Sequence, residues 1–255
     1  MTSILGVPVD AAYHLVSGFT SFLTPALGGV AAVAAIVLFT VAVRLILMPL
    51  SLRGLRGQAA AARLAPQLQA LRKRYAKEPE RLQREMTALY KREGTSMFAG
   101  LTPILLQWPL VSVVYLLFRS AQVGGKPNVL LTRGLFGVPL GSHWLAGAGP
   151  VSLHGLVFLG VFALLAGLCW LSVRLGQLMT ARQVGADQAN APGGALIRVL
   201  PYLTVVIAAF VPLAAGIYLI VSTGWALAER SFFWRTGRIP GASPSPPTKA
   251  VAVRH

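Results

Sequence analysis

The chain has few acidic residues and almost no cysteine. Its 255 residues include seven Asp or Glu and one cysteine, Cys169, and only 12% of all residues are charged. A single cysteine excludes an intramolecular disulfide framework, a cysteine-based zinc site and a CxxC redox motif. The four histidines lack HExxH spacing, and neither a Walker lysine nor a GxSxG motif occurs. The sequence therefore predicts no enzyme, no metal and no cofactor.

Hydrophobic residues make up 55% of the chain, and its scarce charge is mostly of one sign. Lys and Arg number 23, which gives a formal net charge of +16. The hydrophobicity excludes a disordered chain, and the mean hydropathy of +0.65 argues against an ordinary nucleic-acid-binding domain. Apolar bulk with sparse positive charge is typical of an integral membrane protein. We therefore predict an all-α protein built from transmembrane helices.

Apolar runs of about 20 residues can cross the hydrocarbon core. Residues 28–50, 98–118 and 151–173 satisfy this length. The last apolar run, 196–228, would form a straight helix of about 50 Å, which is too long for one crossing. Pro212 offers a break in that run, because proline lacks a helical N–H donor. The sequence therefore predicts five spans, the last two at 196–211 and 213–229.

The positions of the basic residues predict the orientation of these spans. Eleven Lys or Arg lie within residues 51–97, whereas residues 121–150 contain only Lys126 and Arg133. Positive charge is retained in the cytoplasm, so the N-terminus is predicted outside and the C-terminus inside. The predicted order is an extracytoplasmic segment 1–27, span 28–50, cytoplasmic segment 51–97, span 98–118, extracytoplasmic loop 119–150, span 151–173, cytoplasmic loop 174–195, spans 196–211 and 213–229, and a basic cytoplasmic tail 230–255.

The basic segment 51–97 is too charged to enter lipid. Leu64, Leu68 and Leu71 follow helical spacing before a predicted turn at residues 77–80, and a second apolar stripe follows it. This pattern predicts a cytoplasmic helical hairpin. The hairpin is either a solvated linker whose charges set topology or a docking platform for anionic headgroups, ribosomal RNA or a nascent chain.

Arg44 is the one charge deep within a predicted span. It lies six residues before Leu50, so its side chain either extends to the cytoplasmic surface or meets water, lipid phosphate or a substrate. The four apolar runs contain no Asp or Glu, so no ion partner is expected at that depth. We predict a wet, positively charged groove lined by polar residues of the spans, namely Arg44, Thr40, Gln107, Ser112, Tyr115, Tyr218 and Ser222.

Three short motifs follow one another along the chain. They are Thr40-Val-Ala-Val-Arg44 with Met48-Pro49-Leu50, then Ala88-Leu-Tyr-Lys91 with Pro103-Ile-Leu-Leu-Gln107-Trp-Pro109, and finally Val211-Pro212 with Ile217-Tyr218 and Val221-Ser222. In this order and topology they resemble the YidC/Oxa/Alb family of membrane protein insertases, and the likeness covers residues 13–235 approximately. Departures occur where some members have an Asn-Pro, a Gly-Gly, a Ser-Gly or a Tyr pair: here Ser96-Met97, Ala99-Gly100 and Leu213-Ala214 stand instead, and Leu219 follows Tyr218.

The resemblance implies a bacterial plasma-membrane insertase and chaperone that acts without nucleotide hydrolysis. Its implied partners are nascent membrane proteins, the lipid bilayer, the ribosome and, in some settings, the Sec translocon, with no specific DNA binding. Arg44 would attract acidic residues of a substrate tail. Two other functions remain open from the residues alone: a small channel or transporter subunit with the same spans, and a nucleic-acid-binding membrane anchor built on the basic hairpin.

Overall fold

The computed structural model describes residues 6–94, 112–120, 122–146, 151–184 and 199–237. Most of these residues are helical. Two helical stretches among them are long and apolar enough to cross a membrane, Gly6–Ala61 and Leu153–Met179. The longer α-helices are α1 (Gly6–Leu27), α2 (Ala31–Arg74), α3 (Pro79–Arg92), α5 (Leu153–Val184) and α7 (Leu213–Arg235); shorter ones are α4 (residues 112–119) and α6 (Leu203–Ala208), and 3₁₀ turns occupy Gly28–Val30, Val129–Leu131, Trp144–Ala146 and Leu200–Tyr202.

Residues 122–146 form a compact layer over one end of the helices, which we call the loop layer. It contains two antiparallel two-stranded hairpins, β1 (Gln122–Val123) with β2 (Lys126–Pro127) and β3 (Gly134–Leu135) with β4 (Val138–Pro139). Asn128 is buried there, and its side-chain amide donates to the carbonyl oxygens of Leu117 at 2.6 Å and Ser120 at 3.1 Å. The layer is therefore tied to the end of α4.

Helices α2, α5 and α7 all begin at the loop layer. The turn before α2 contacts β3, and the His154 ring near the start of α5 lies 3.1 Å from the His143 carbonyl oxygen. At the start of α7, the Leu213 amide donates to the Ser142 carbonyl oxygen and the Ala214 amide to that of Leu140. The three helices therefore leave the layer on the same side.

Contacts along their length show that these three helices run parallel. Arg44 of α2 bonds Ser222 of α7, and farther along both helices Gln58 bonds Arg230. A second series of contacts, between α5 and α7, has the same order along both helices. A Cβ on Gly216 would lie 3.2 Å from Val161, one on Gly224 would lie 3.9 Å from Leu168, and one on Gly176 would lie 3.9 Å from Arg230.

The described segments between these helices run in the opposite direction. Helix α4 ends at the loop layer, where Asn128 binds its last carbonyls. The Cys169 thiol, in the middle of α5, donates to the Pro201 carbonyl oxygen at 3.2 Å, and the chain then returns through α6 to Leu213 at the layer. Direction therefore alternates through α2, α4, α5, α6 and α7.

The N-terminal segment, predicted only as extracytoplasmic, contains helix α1. Its buried residues Val9, Ala12, Val16 and Thr20 recur every three or four positions and form the face that packs toward α2. Gly28, with φ +53°, allows the turn into α2, because other residues rarely adopt that backbone conformation. Pro8 lies in the first turn of α1, where a helix tolerates proline, and Pro25 lies in its last turn.

Helix α2 does not end where the first apolar run ends. It continues through Pro49 and Pro66 to Arg74 for 44 residues, about 66 Å. The predicted first span and the first arm of the predicted hairpin are therefore one helix. Helix α3 begins at Pro79, so the connection at residues 75–78 overlaps the expected turn. Tyr75 lies there, with the guanidinium of Arg81 5.1 Å from its ring centroid.

The predicted boundaries of the later spans differ from the helices in three places. Helix α5 extends 11 residues beyond residue 173, into the predicted loop 174–195. In the described part of the predicted span 196–211, the chain forms the 3₁₀ turn Leu200–Tyr202 and the six-residue helix α6 instead of one continuous helix. The last apolar run breaks at Pro212, as expected, and α7 continues beyond residue 229 to Arg235. The first parts of the predicted spans 98–118 and 196–211 lie outside the described residues.

Large apolar side chains project outward along α5. Leu156, Leu164, Leu171 and Leu178 are each about half exposed and recur every seven or eight residues, so they form one stripe. An exposed apolar stripe of this length suits a lipid environment rather than water.

Candidate functional site

Arg44 lies inside the molecule between α2 and α7. Its side chain is only 8% exposed. The Arg44 Nε donates to the Ser222 hydroxyl oxygen at 3.1 Å, and Nη2 donates to the same oxygen. Arg44 follows the start of α2 by 13 residues, which places it about 20 Å from the loop layer. A cation is therefore held deep between two apolar helices.

Helix α7 presents a polar stripe toward this arginine. Tyr218, Ser222, Trp225 and Glu229 are spaced by four, three and four residues, so they share one helix face. The buried side-chain N or O atoms without a hydrogen-bond partner among the described residues are Tyr218 Oη, Trp225 Nε1 and Glu229 Oε1. All three belong to this stripe. Buried polar atoms are normally paired, so their clustering marks a candidate binding site.

Glu229 corrects the expectation that Arg44 has no acidic residue near it. Glu229 is 7% exposed, accepts a hydrogen bond from the Ser51 hydroxyl and interacts electrostatically with Arg44. Ser51 follows Arg44 by seven residues, just as Glu229 follows Ser222, so the two contacts lie two turns apart on parallel helices. We call these six side chains, Arg44, Ser51, Tyr218, Ser222, Trp225 and Glu229, the polar seam.

The structure brings together three of the residues predicted to line a groove. Arg44 and Ser222 bond directly, and Tyr218 interacts with both. Thr40 is buried one turn before Arg44, but its hydroxyl donates to the Ile36 carbonyl oxygen of its own helix at 2.7 Å. The Thr40 hydroxyl proton is therefore already engaged.

The remaining predicted groove residues belong to the segment containing α4. Ser112 begins the described part of α4 and is half-buried. The Tyr115 hydroxyl accepts from Arg119 at 3.0 Å, near the end of α4 at the loop layer. From helix rise, Tyr115 lies about 12 Å nearer the layer than Arg44 does. Gln107 lies outside the described residues.

Sequence reasoning did not name Ser51, Trp225 or Glu229 as site residues. Trp225 lies within the predicted span 213–229 and Glu229 is its last residue, one position beyond the apolar run 196–228, whereas Ser51 lies one residue beyond the run 28–50. The spacing from Tyr218 and Ser222 would have identified Trp225 and Glu229 as members of the same helix face. The site combines a guanidinium, a carboxylate and neutral polar groups between apolar helices, an arrangement that can recognise charge.

A family model matches most of the chain. The model describes the 60Kd inner membrane protein, and it matches residues 22–238. That range contains α2 through α7 and the whole polar seam.

Curated proteins from several bacteria resemble the chain over shorter stretches. The Membrane protein insertase YidC of Clostridium tetani is 32% identical over 114 residues, 45% of this chain and 52% of the relative. The protein of the same name from Granulibacter bethesdensis is 32% identical over 164 residues, 62% of this chain and 26% of the relative. The Helicobacter pylori protein is 38% identical over 102 residues, 40% of this chain and 19% of the relative. The matches thus span about half the length of these relatives or less.

Proposed function

The chain belongs to the 60Kd inner membrane protein family, the YidC/Oxa1 family, and we propose that it is a membrane protein insertase and chaperone. Membership makes it a bacterial inner membrane protein. The proposed activity is to receive newly made membrane proteins from the cytoplasmic side and release their apolar segments into lipid. The relatives named for insertase activity support this proposal.

The proposed topology has five spans, with the N-terminus outside and the C-terminus inside. The alternating directions of α2, α4, α5, α6 and α7 support an odd number of crossings, because the first and last helices are parallel. Under this topology the loop layer faces outward and the segment 51–97 faces the cytoplasm. The tail 230–255 is then cytoplasmic too, in agreement with its positive charge.

The observation that carries the proposal is the buried cation of Arg44, held about 20 Å from the loop layer. We propose a groove centred on Arg44, Tyr218 and Ser222 that extends toward the layer along Thr40, Ser112 and Tyr115, and we propose Gln107 as a further member. Polar groups at this depth shorten the stretch of hydrocarbon that a hydrophilic tail must cross. Each polar group left unpaired in hydrocarbon costs several kcal/mol, so such a groove lowers the barrier to insertion.

The proposed partners follow from the same arrangement. The basic hairpin would contact the incoming chain and anionic headgroups, and the ribosome and the Sec translocon are proposed partners on the cytoplasmic and lateral sides. The exposed apolar stripe of α5 would face lipid.

Replacement of Arg44 tests the proposal. In cells depleted of their own insertase, Arg44→Ala is expected to reduce insertion of a single-span reporter with an acidic tail about tenfold. Arg44→Lys is expected to retain most activity, because it keeps the positive charge. Arg133→Ala is the matched control, since Arg133 is exposed in the loop layer. Full activity of Arg44→Ala would contradict the role of Arg44, and failure of the wild-type chain to insert any reporter would contradict the proposed function.

A further inference from the structure

Glu229 is a buried carboxylate that the proposed insertion activity does not use. Its side chain is 7% exposed, and Oε1 has no hydrogen-bond partner among the described residues. A buried carboxylate with an unpaired oxygen is costly unless a nearby positive charge offsets its desolvation.

Arg44 is in a position to provide that charge. Arg44 bonds Ser222, and Ser51 bonds Glu229, at equal seven-residue steps along two parallel helices. The two charged side chains therefore lie on facing sides of α2 and α7, about two helical turns apart along the axis at their backbones. Both side chains are buried between the two helices, where a carboxylate and a guanidinium attract each other more strongly than they would in water.

The polar seam also has a direction. Ser51 and Glu229 lie about 30 Å from the start of α2, near the end that carries the basic segment 51–97, whereas Arg44 lies about 10 Å closer to the loop layer. A tail that enters from the basic end therefore passes the carboxylate of Glu229 before it reaches the guanidinium of Arg44.

We propose that Glu229 is the internal counter-charge of Arg44, which an acidic substrate tail must displace, so that Glu229 determines how many negative charges a tail needs. The part of this inference that concerns the substrate tail rests on the proposed insertase function. The pairing of Glu229 with Arg44 does not depend on that function. A neutral or weakly acidic tail competes poorly with Glu229 for Arg44. A tail with two or more Asp residues competes well, because it brings greater negative charge to the same guanidinium.

The substrate part is tested with a reporter series whose short tail carries none, one, two or three Asp residues. Purified wild-type and Glu229→Gln protein in liposomes are compared by protease protection of the inserted tail. The ratio of insertion for a one-Asp tail to that for a neutral tail is expected to rise about fivefold in Glu229→Gln, which corresponds to a coupling of about 1 kcal/mol. Glu229→Asp should behave as wild type, because it retains the charge.

Asp10→Asn is the matched control for this series. It also removes one carboxylate, but Asp10 lies on α1 beside Gly124 of the loop layer, far from the polar seam. Its ratio should equal that of wild type. If Glu229→Gln changes insertion of all tails by the same factor, Glu229 has only a structural role and the proposal is overturned.

The pairing is tested separately, without any substrate. Thermal unfolding in detergent is measured for Arg44→Gln, Glu229→Gln and the double variant. Arg44→Gln leaves Glu229 buried and uncompensated, so we expect the double variant to be more stable than Arg44→Gln alone. Additive losses in the two single variants would overturn the pairing. If the wild-type chain inserts no reporter, the proposed function fails, whereas this cycle still decides whether Glu229 is the counter-charge.

Discussion

The half of the molecule next to the loop layer and the half around the polar seam use the same helices but opposite chemistry. The first half contains the main core, in which α1, α2, α4, α5 and the start of α7 bury aliphatic and aromatic side chains. Beyond the seam, the second apolar cluster has only Ala59 and Phe233 as buried members. The difference shows that apolar packing beside the loop layer sets the positions of the helices relative to one another. Farther from the layer, those positions place the charged groups Arg44 and Glu229 on facing helices.

The comparison predicts that the largest losses of stability come from the core beside the loop layer. Phe158 is 1% exposed and packs against Trp144, His154 and Phe162. Phe158→Ala should lower the free energy of unfolding by about 3–5 kcal/mol, because it leaves a cavity. The matched control is Phe232→Ala, at a half-exposed position beyond the seam. Equal losses in thermal unfolding for the two variants would break the comparison.

A second, smaller loss is expected where the loop layer is tied to α4. Asn128 is 4% exposed; its amide donates to two carbonyls, and its Oδ1 accepts from the Leu130 amide at 3.2 Å. Asn128→Ala should cost about 1–3 kcal/mol, because buried backbone groups lose their partner. Thr132→Ala, at an exposed position in the same layer, should change little. Denaturant unfolding in detergent separates the two, and a neutral Asn128→Ala would show that the layer is not anchored by this side chain.

A third prediction concerns the contact between α5 and α7. A Cβ on Gly216 would approach Val161 to 3.2 Å, whereas one on Gly224 would meet Leu168 at an ordinary 3.9 Å. Gly216→Ala should therefore cost about 1 kcal/mol through overpacking, and Gly224→Ala should be neutral or slightly stabilising through helix propensity. The shift in unfolding midpoint measures both. A larger loss for Gly224→Ala than for Gly216→Ala would contradict this prediction, because it would place the tight contact between α5 and α7 at Gly224 instead of Gly216.

Among these substitutions, the smallest effect on stability is expected for Ser222→Ala in the polar seam. Ser222→Ala removes the hydroxyl that accepts from Arg44, and we expect a loss of about 1 kcal/mol or less. Insertion of an acidic-tail reporter should fall more than insertion of a neutral one, because Arg44 loses the contact that orients it. A variant that is strongly destabilised but inserts both reporters normally would show that the seam supports the fold rather than the activity.

Much of the helical architecture follows from the sequence. The length of the last apolar run and Pro212 predict the break before α7, and α7 begins at Leu213. Three of the polar residues expected at membrane depth, Arg44, Tyr218 and Ser222, lie together between α2 and α7, and their role as a groove stays a prediction. The continuity of α2 past Pro49 was not predicted, because the first span was ended where the composition changes from apolar to basic. Such a change marks the edge of the hydrocarbon core, but it does not by itself end a helix.

The missed members of the site have a physical explanation as well. Glu229 and Ser51 lie just beyond the ends of apolar runs, where charged and polar residues are expected to meet water. Glu229 is nevertheless buried and Ser51 half-buried, because each faces a partner on the other helix. The packed face of α1 was not predicted, because residues 1–27 were assigned only an extracytoplasmic position from the charge distribution.

By itself the sequence determined that the chain is rich in apolar runs that suit helices and that its basic residues are concentrated in residues 51–97. It also determined that a single arginine, Arg44, lies within the first apolar run. Hydrophobic length, proline and the sign of the charge are sufficient for those conclusions because they act locally. The tertiary structure decided that α2 and α7 are parallel and that Arg44 meets Ser222, 178 positions away in the chain. The position of α7 also depends on its contact with α5, where a Cβ on Gly216 would lie 3.2 Å from Val161. Packing of this kind depends on two surfaces together, so it cannot be read from either segment alone.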